Sequence, residues 1–125
     1  VISNTITDHD AEDRATLEES GIYSMPAKKE ISVGIQKVQE RLAQAADGIP
    51  RLFILRGALV ERDESVAEAH KPVCTEQEFE SYSCPKGADG RAVKEVPIDL
   101  NNHGMDAMRY MVMHEENPIG QLFYE

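Results

Sequence analysis

The repeat Ile31, Ile35, Val38 and Leu42 constrains this chain more than any other feature. These apolar positions recur at helical spacing and form one stripe that must be buried against another element. Asp47-Gly48 supplies the stop. On either side of this helix the pattern changes to short apolar runs. Val1 to Thr7 reads as a buried strand, and Ile22-Tyr-Ser-Met25 as a short second strand closed by Pro26. Arg51-Leu-Phe-Ile-Leu-Arg56, introduced by Pro50, reads as a third, central strand. Between the first two strands the acidic run Asp8-His-Asp-Ala-Glu-Asp13 passes into a helix. Asp8 or Asp10 can cap it, Glu12 and Asp13 suit its positive end, and Gly21 is a natural stop. Strand, helix, strand, helix, strand is the order of an α/β sheet with parallel crossovers.

The pattern weakens after Gly57. Leu59 to His70 is charged and reads as a helical insert, and Thr75-Glu-Gln-Glu78 carries a capping-box pattern into Phe79 and Tyr82. Pro85 to Gly90 is a loop. Arg91 to Ile98 returns as an extended strand that continues through Val96-Pro-Ile-Asp-Leu100 into a last helix, with Asn101 or Asn102 as its N-cap. Met108, Met111 and Val112 can turn from that helix towards a core, and Asn117-Pro118 ends it.

Chemistry concentrates at two places. His103 and Asp106 are three residues apart, so both project from one face of the first helical turn, just beyond a strand. Ligands in an open parallel sheet collect outside the carboxyl ends of the strands, which is where the first strand delivers Asp8, with Asp10 and Glu12 beyond it. If the two places meet, they hold two carboxylates and an imidazole. That is the inventory of a two-metal phosphodiesterase centre, in which Mg²⁺ or Mn²⁺ ions about 4 Å apart activate water and stabilise the leaving oxygen. The same residues also suit ordinary helix starts, with acidic groups complementing the helix dipole on a solvated face.

The bulk properties set limits. A chain of 125 residues has room for one domain with a real core and not comfortably for two. A net charge of −10 argues against holding nucleic acid by charge alone, but not against a metal-dependent nuclease, whose clustered carboxylates are neutralised by bound cations. Affinity for DNA then has to come largely from elsewhere in a longer protein. Cys74 and Cys84 lack the paired spacing of a zinc site, even with His70 nearby, and read as reduced thiols. No signal peptide or apolar span is recognisable, which favours a cytoplasmic location. The chain opens in mid-strand without an initiator Met, as a piece of a longer protein would.

The segment His103-Gly-Met-Asp-Ala-Met-Arg-Tyr110 resembles the C-terminal signature of the phage large terminase nuclease, a DNA-packaging endonuclease with a ribonuclease H-like fold. Asn102 stands where that family often has Asp. The stretch from Asp8 to Ile22 is similar to the second acidic motif of one large-terminase branch. Ala27-x-Lys29-x-Ile31, then Gly34-Ile35, Val38, Arg41-Leu42 and Pro50-Arg-Leu-Phe-Ile54 follow the same pattern. Cys74-Thr-x-x-Glu78 and Tyr82 fit the segment before the last strand, although Cys84 stands where the family often has Trp. The anchors occur in order over nearly all of the chain.

What the resemblance implies is a mixed α/β sheet flanked by helices, lacking its N-terminal strands. Asp8 would be the second metal-binding carboxylate and Asp106 the third, with His103 beside it and Mg²⁺ or Mn²⁺ as cofactor. Lys29 would touch a DNA phosphate, and Asp10 and Glu12 would be outer-shell groups unless they are simply caps. The first catalytic Asp lies upstream of the region matching Val1, and no stretch here supplies it. A Gly-x-x-x-x-Gly-Lys-Ser/Thr phosphate loop, the mark of the ATPase motor, is also missing. The expectation is therefore the C-terminal part of a nuclease domain, carrying two of three carboxylates and inactive by itself. In the complete protein the partners would be double-stranded DNA, a portal protein and a small terminase subunit, in the cytoplasm of a host cell. Sheet edges left open by the absent strands would favour self-association. Two other readings remain: an interaction module that docks a portal or partner subunit through the charged surface between Leu59 and Glu80, and another ribonuclease H-like nuclease such as a resolvase or transposase.

Overall fold

The structure is a computed structural model that describes residues 2–8, 10–94 and 96–116. Strand β1 (Ile6–Thr7) pairs in parallel with β2 (Met25–Pro26), Ile6 beside Met25 and Thr7 beside Pro26. The ladder is built from the N–H groups on either side of Pro26. Met25 donates to the Thr5 carbonyl and Ala27 to the Thr7 carbonyl, both at 2.8 Å. A proline between them therefore removes no bond, so Pro26 takes part in the strand rather than closing it.

Helix α1 (Ala11–Glu19) makes the crossover. Asp10 is its N-cap, accepting from the N–H of Glu12 at 2.9 Å, and Gly21 ends the turn with φ of +81°. None of its side chains is buried, in keeping with its sparse apolar content.

Helix α2 (Ile31–Leu42) carries the apolar stripe, with Gly34 and Val38 buried. At its end the chain doubles back, and the Arg41 carbonyl accepts from the N–H groups of both Arg51 and Leu52. Two short helices follow, α3 (Glu64–Glu68), capped by Asp63, and α4 (Thr75–Ser81). Helix α5 (His103–Glu116) then packs against α2, α4 and β1. Val38, Met105, Val112 and Met113 form the buried apolar centre, with Ala27 beneath the sheet end. Gly34 permits a close approach of α2 to α5, because a Cβ there would meet Cγ and Cδ of Arg109 at 2.5 and 2.7 Å.

The described residues thus form a mixed α/β arrangement with one small parallel sheet and five helices. Several expected elements differ. Arg51–Arg56 is not a strand: Phe53, Ile54 and Leu55 take part in no backbone hydrogen bond among the described residues, and Phe53 and Leu55 are 70% and 78% exposed. A continuous apolar run makes a strand only when a neighbouring strand takes up its N–H and C=O groups. Among the described residues, the strand expected over Arg91–Ile98 is represented by one antiparallel bridge, Lys86 to Ala92, with further backbone bonds from Val93 to Pro85 and from Ile98 to Ser83. The helix expected over Leu59–His70 shrinks to Glu64–Glu68.

Thr75 and Glu78 form no capping box. Cys74 occupies the N-cap position without a side-chain bond, and both Thr75 and Glu78 face α5. Asn102 precedes α5, but its amide donates to Asp99 at 3.1 Å. In α5 the buried side is Met105, Val112 and Met113, whereas Met111 is exposed. The expected stop at Asn117-Pro118 lies outside the described residues.

Candidate carboxylate cleft

Asp8 follows β1 directly, at the carboxyl end of the strand, and β1 packs on α5. Asp106 lies in the first turn of α5, one turn beyond the exposed His103. The end of β1 and the start of α5 therefore meet. Asp8, His103, Asp106, Lys29, Asp99 and Tyr110 are among the residues lining one cleft of about 630 Å³. An adjoining hollow is again lined by Asp8, His103, Asp106 and Tyr110, together with Ile6 and Thr7.

Both carboxylates are matched with cations. The Lys29 ammonium forms an ion pair with Asp8 across the cleft mouth. That hydrogen bond raises the Lys29 pKa above its ordinary value, so the side chain stays charged. Both partners are well exposed, so solvent screens the pair and it contributes little to stability. Asp106 is held differently. Arg109, only 5% exposed, donates through Nη2 to Asp106 Oδ1 at 3.0 Å and through Nη1 to the Lys29 carbonyl at 3.2 Å. Its guanidinium carbon lies 5.1 Å from the centre of the Tyr110 ring. One buried arginine therefore joins the α5 carboxylate to the backbone of the segment that carries Lys29. Partial burial also pushes the Tyr82 and Tyr110 phenols up, so both stay protonated at neutral pH.

Of the residues named from sequence, Asp8, His103, Asp106 and Lys29 come together here. Asp10 is occupied as the α1 cap, and neither Asp10 nor Glu12 lines the cleft. Sequence reasoning does not single out Arg109, Asp99 or Tyr110. Arg109 and Tyr110 stand inside the motif around His103, and Asp99 at the turn before it, but the partners of Arg109 and the far wall of the cleft lie on other segments.

Two carboxylates and an imidazole suit a hard divalent cation. Among the described residues, no three His, Cys, Asp or Glu side chains are close enough to form a metal cluster by themselves. Cys74 and Cys84 are free thiols. No described helix is long and apolar enough to cross a membrane. Compared with known protein families, curated proteins and solved structures, the chain has no match in any of the three.

Proposed function

We propose that this chain is part of a metal-dependent DNA endonuclease with a ribonuclease H-like sheet, of the kind that phage large terminases use to cut concatemeric DNA during packaging. The observation that carries this reading is the shared cleft: Asp8 from one end of the chain lines it with His103 and Asp106 from the other. Mg²⁺ or Mn²⁺, when bound, would supply charge stabilisation at the phosphate and a lowered pKa for the attacking water.

This chain's own residues then divide the work. Asp8 and Asp106 are the carboxylates that would hold the cations, completed by a third from elsewhere in the protein. Arg109 holds one oxygen of Asp106 in place. His103, exposed at the rim, is placed to move a proton. Lys29 neutralises Asp8 in the absence of a cation and can turn to a DNA phosphate once Asp8 is otherwise engaged. With a net charge of −10, the chain needs basic surface elsewhere in the complete protein to hold double-stranded DNA. A portal protein and a small terminase subunit are the further partners of this reading, in the host cytoplasm.

The test is Asp106→Asn in the full-length protein. Cleavage of double-stranded DNA with Mg²⁺ or Mn²⁺ is expected to be abolished while the circular-dichroism spectrum is retained. Full cleavage by that variant contradicts the proposal.

A further inference from the structure

We infer that Glu78 is a positioning residue for the cleft, fixing His103 and Asp106 from α4 through the backbone between them; the inference rests on the cleft being the functional site. Glu78 is 7% exposed, and among the described residues it has no ion-pair partner. A buried carboxylate needs compensation, and here it comes from the start of α5. Oε1 accepts from the N–H of Gly104 at 3.1 Å and Oε2 from the N–H of Met105 at 2.8 Å. These are the two residues between His103 and Asp106 in the chain. Two charge-assisted bonds to consecutive amides fix the rotation of the first turn as well as its distance from α4.

The contact is enforced from a second side. A Cβ on Gly104 would fall on the Thr75 hydroxyl, and 2.9 Å from the Thr75 Cβ, so only glycine lets α5 come this close to α4. Asn102 takes neither of these amides: its side-chain NH₂ donates to Asp99, and its backbone carbonyl accepts the first helical bond, from the N–H of Asp106. Glu76, on the same short helix, has other partners. It accepts the N–H of Gly57 at 3.0 Å and pairs with Arg56 rather than with the α5 amides. The motif Thr75-x-x-Glu78 is thus a clamp on another helix rather than the cap of its own.

The experiment compares Glu78→Gln with Glu76→Gln by NMR on this chain. Glu78→Gln keeps the size but turns an amide NH₂ towards one of the two backbone donors. Hydrogen exchange at Gly104 and Met105 is expected to accelerate about tenfold or more, the change that loss of a bond to a charged group produces. The His103 imidazole and Asp106 carboxyl resonances are expected to shift with it, while the amide of Val112 stays in place. Glu76→Gln is expected to leave all of these unchanged. Where the Gln variant does not fold, Glu78→Asp, which keeps the charge and shortens the reach, is expected to move the same two side-chain resonances. Unmoved His103 and Asp106 resonances, or an equal response to Glu76→Gln, overturn the inference. The Mn²⁺ response of the unmodified chain judges the nuclease reading separately, so either can fail without the other.

Discussion

The helical layer of α2, α4 and α5 and the irregular segments at 51–60, 91–94 and 96–100 are built from similar apolar residues, yet they end in opposite environments. Val38, Met105, Val112 and Met113 are buried. Phe53, Leu55, Val60, Val93, Ile98 and Leu100 are exposed. A helix satisfies its own backbone and needs only one apolar partner face. An extended segment needs a neighbouring strand as well, and β1 and β2 provide one only for each other. Phe53 and Leu55 lack backbone partners among the described residues, whereas Val93 and Ile98 donate to the Pro85 and Ser83 carbonyls and are exposed all the same, so an apolar run needs a covering face as well as hydrogen-bond partners.

This contrast can be broken most sharply at its centre. Met105→Ala, in the buried α5 face, is expected to lower unfolding free energy by about 3 kcal/mol, read from urea denaturation. Gly104→Ala is expected to cost about 2 kcal/mol, because the added methyl overlaps Thr75 and pushes α5 from α4. An unchanged denaturation midpoint in either variant would show that the α4–α5 contact is not part of the stable layer.

In the extended region Phe53→Ser is expected to alter stability by no more than about 0.5 kcal/mol. Its effect should appear in association instead. An unpaired apolar edge favours self-pairing, so light scattering is expected to show a mass rising with concentration for the unmodified chain and rising less for Phe53→Ser. A strict monomer at high concentration contradicts this.

The smallest effect belongs to Asp47. The Arg51 guanidinium, and then the Ile49 N–H, hold its carboxyl below the ordinary value of 3.8. A depressed carboxylate contributes stability above its unfolded pKa and loses it as pH falls through the folded value. Thermal midpoints of the unmodified chain and of Asp47→Asn should therefore differ slightly at about pH 6 and converge towards about pH 2. A gap that widens on acidification contradicts the assignment.

The same contrast explains what is legible in the sequence. Helix α2 is readable from its stripe, and α1 from the Asp10 cap and Gly21, because those signals are local. The parallel pairing of β1 with β2 follows from the alternation of elements. Arg51–Arg56 misleads because apolar character does not reveal whether a partner strand is present. Thr75-x-x-Glu78 misleads because the spacing shows what Glu78 can accept, not that the donors sit at Gly104 and Met105. At the cleft, the strand-end rule puts Asp8 just beyond β1, but it does not say that Asp8 lines the same cleft as His103 and Asp106. The roles of Lys29 as partner of Asp8, and of Arg109 as the link from Asp106 to the Lys29 carbonyl, depend on contacts between distant segments. No local pattern encodes those.

On the proposed function, Asp8 and Asp106 share one cation site. An NMR titration of this chain with Mn²⁺ tests it most directly, through paramagnetic broadening of backbone amides. The expected result is broadening at residues around Asp8 and Asp106 at the same Mn²⁺ concentrations, with the amides of α3 unaffected. Broadening at neither place, or at one without the other, in the complete nuclease domain as well as in this chain, would contradict it.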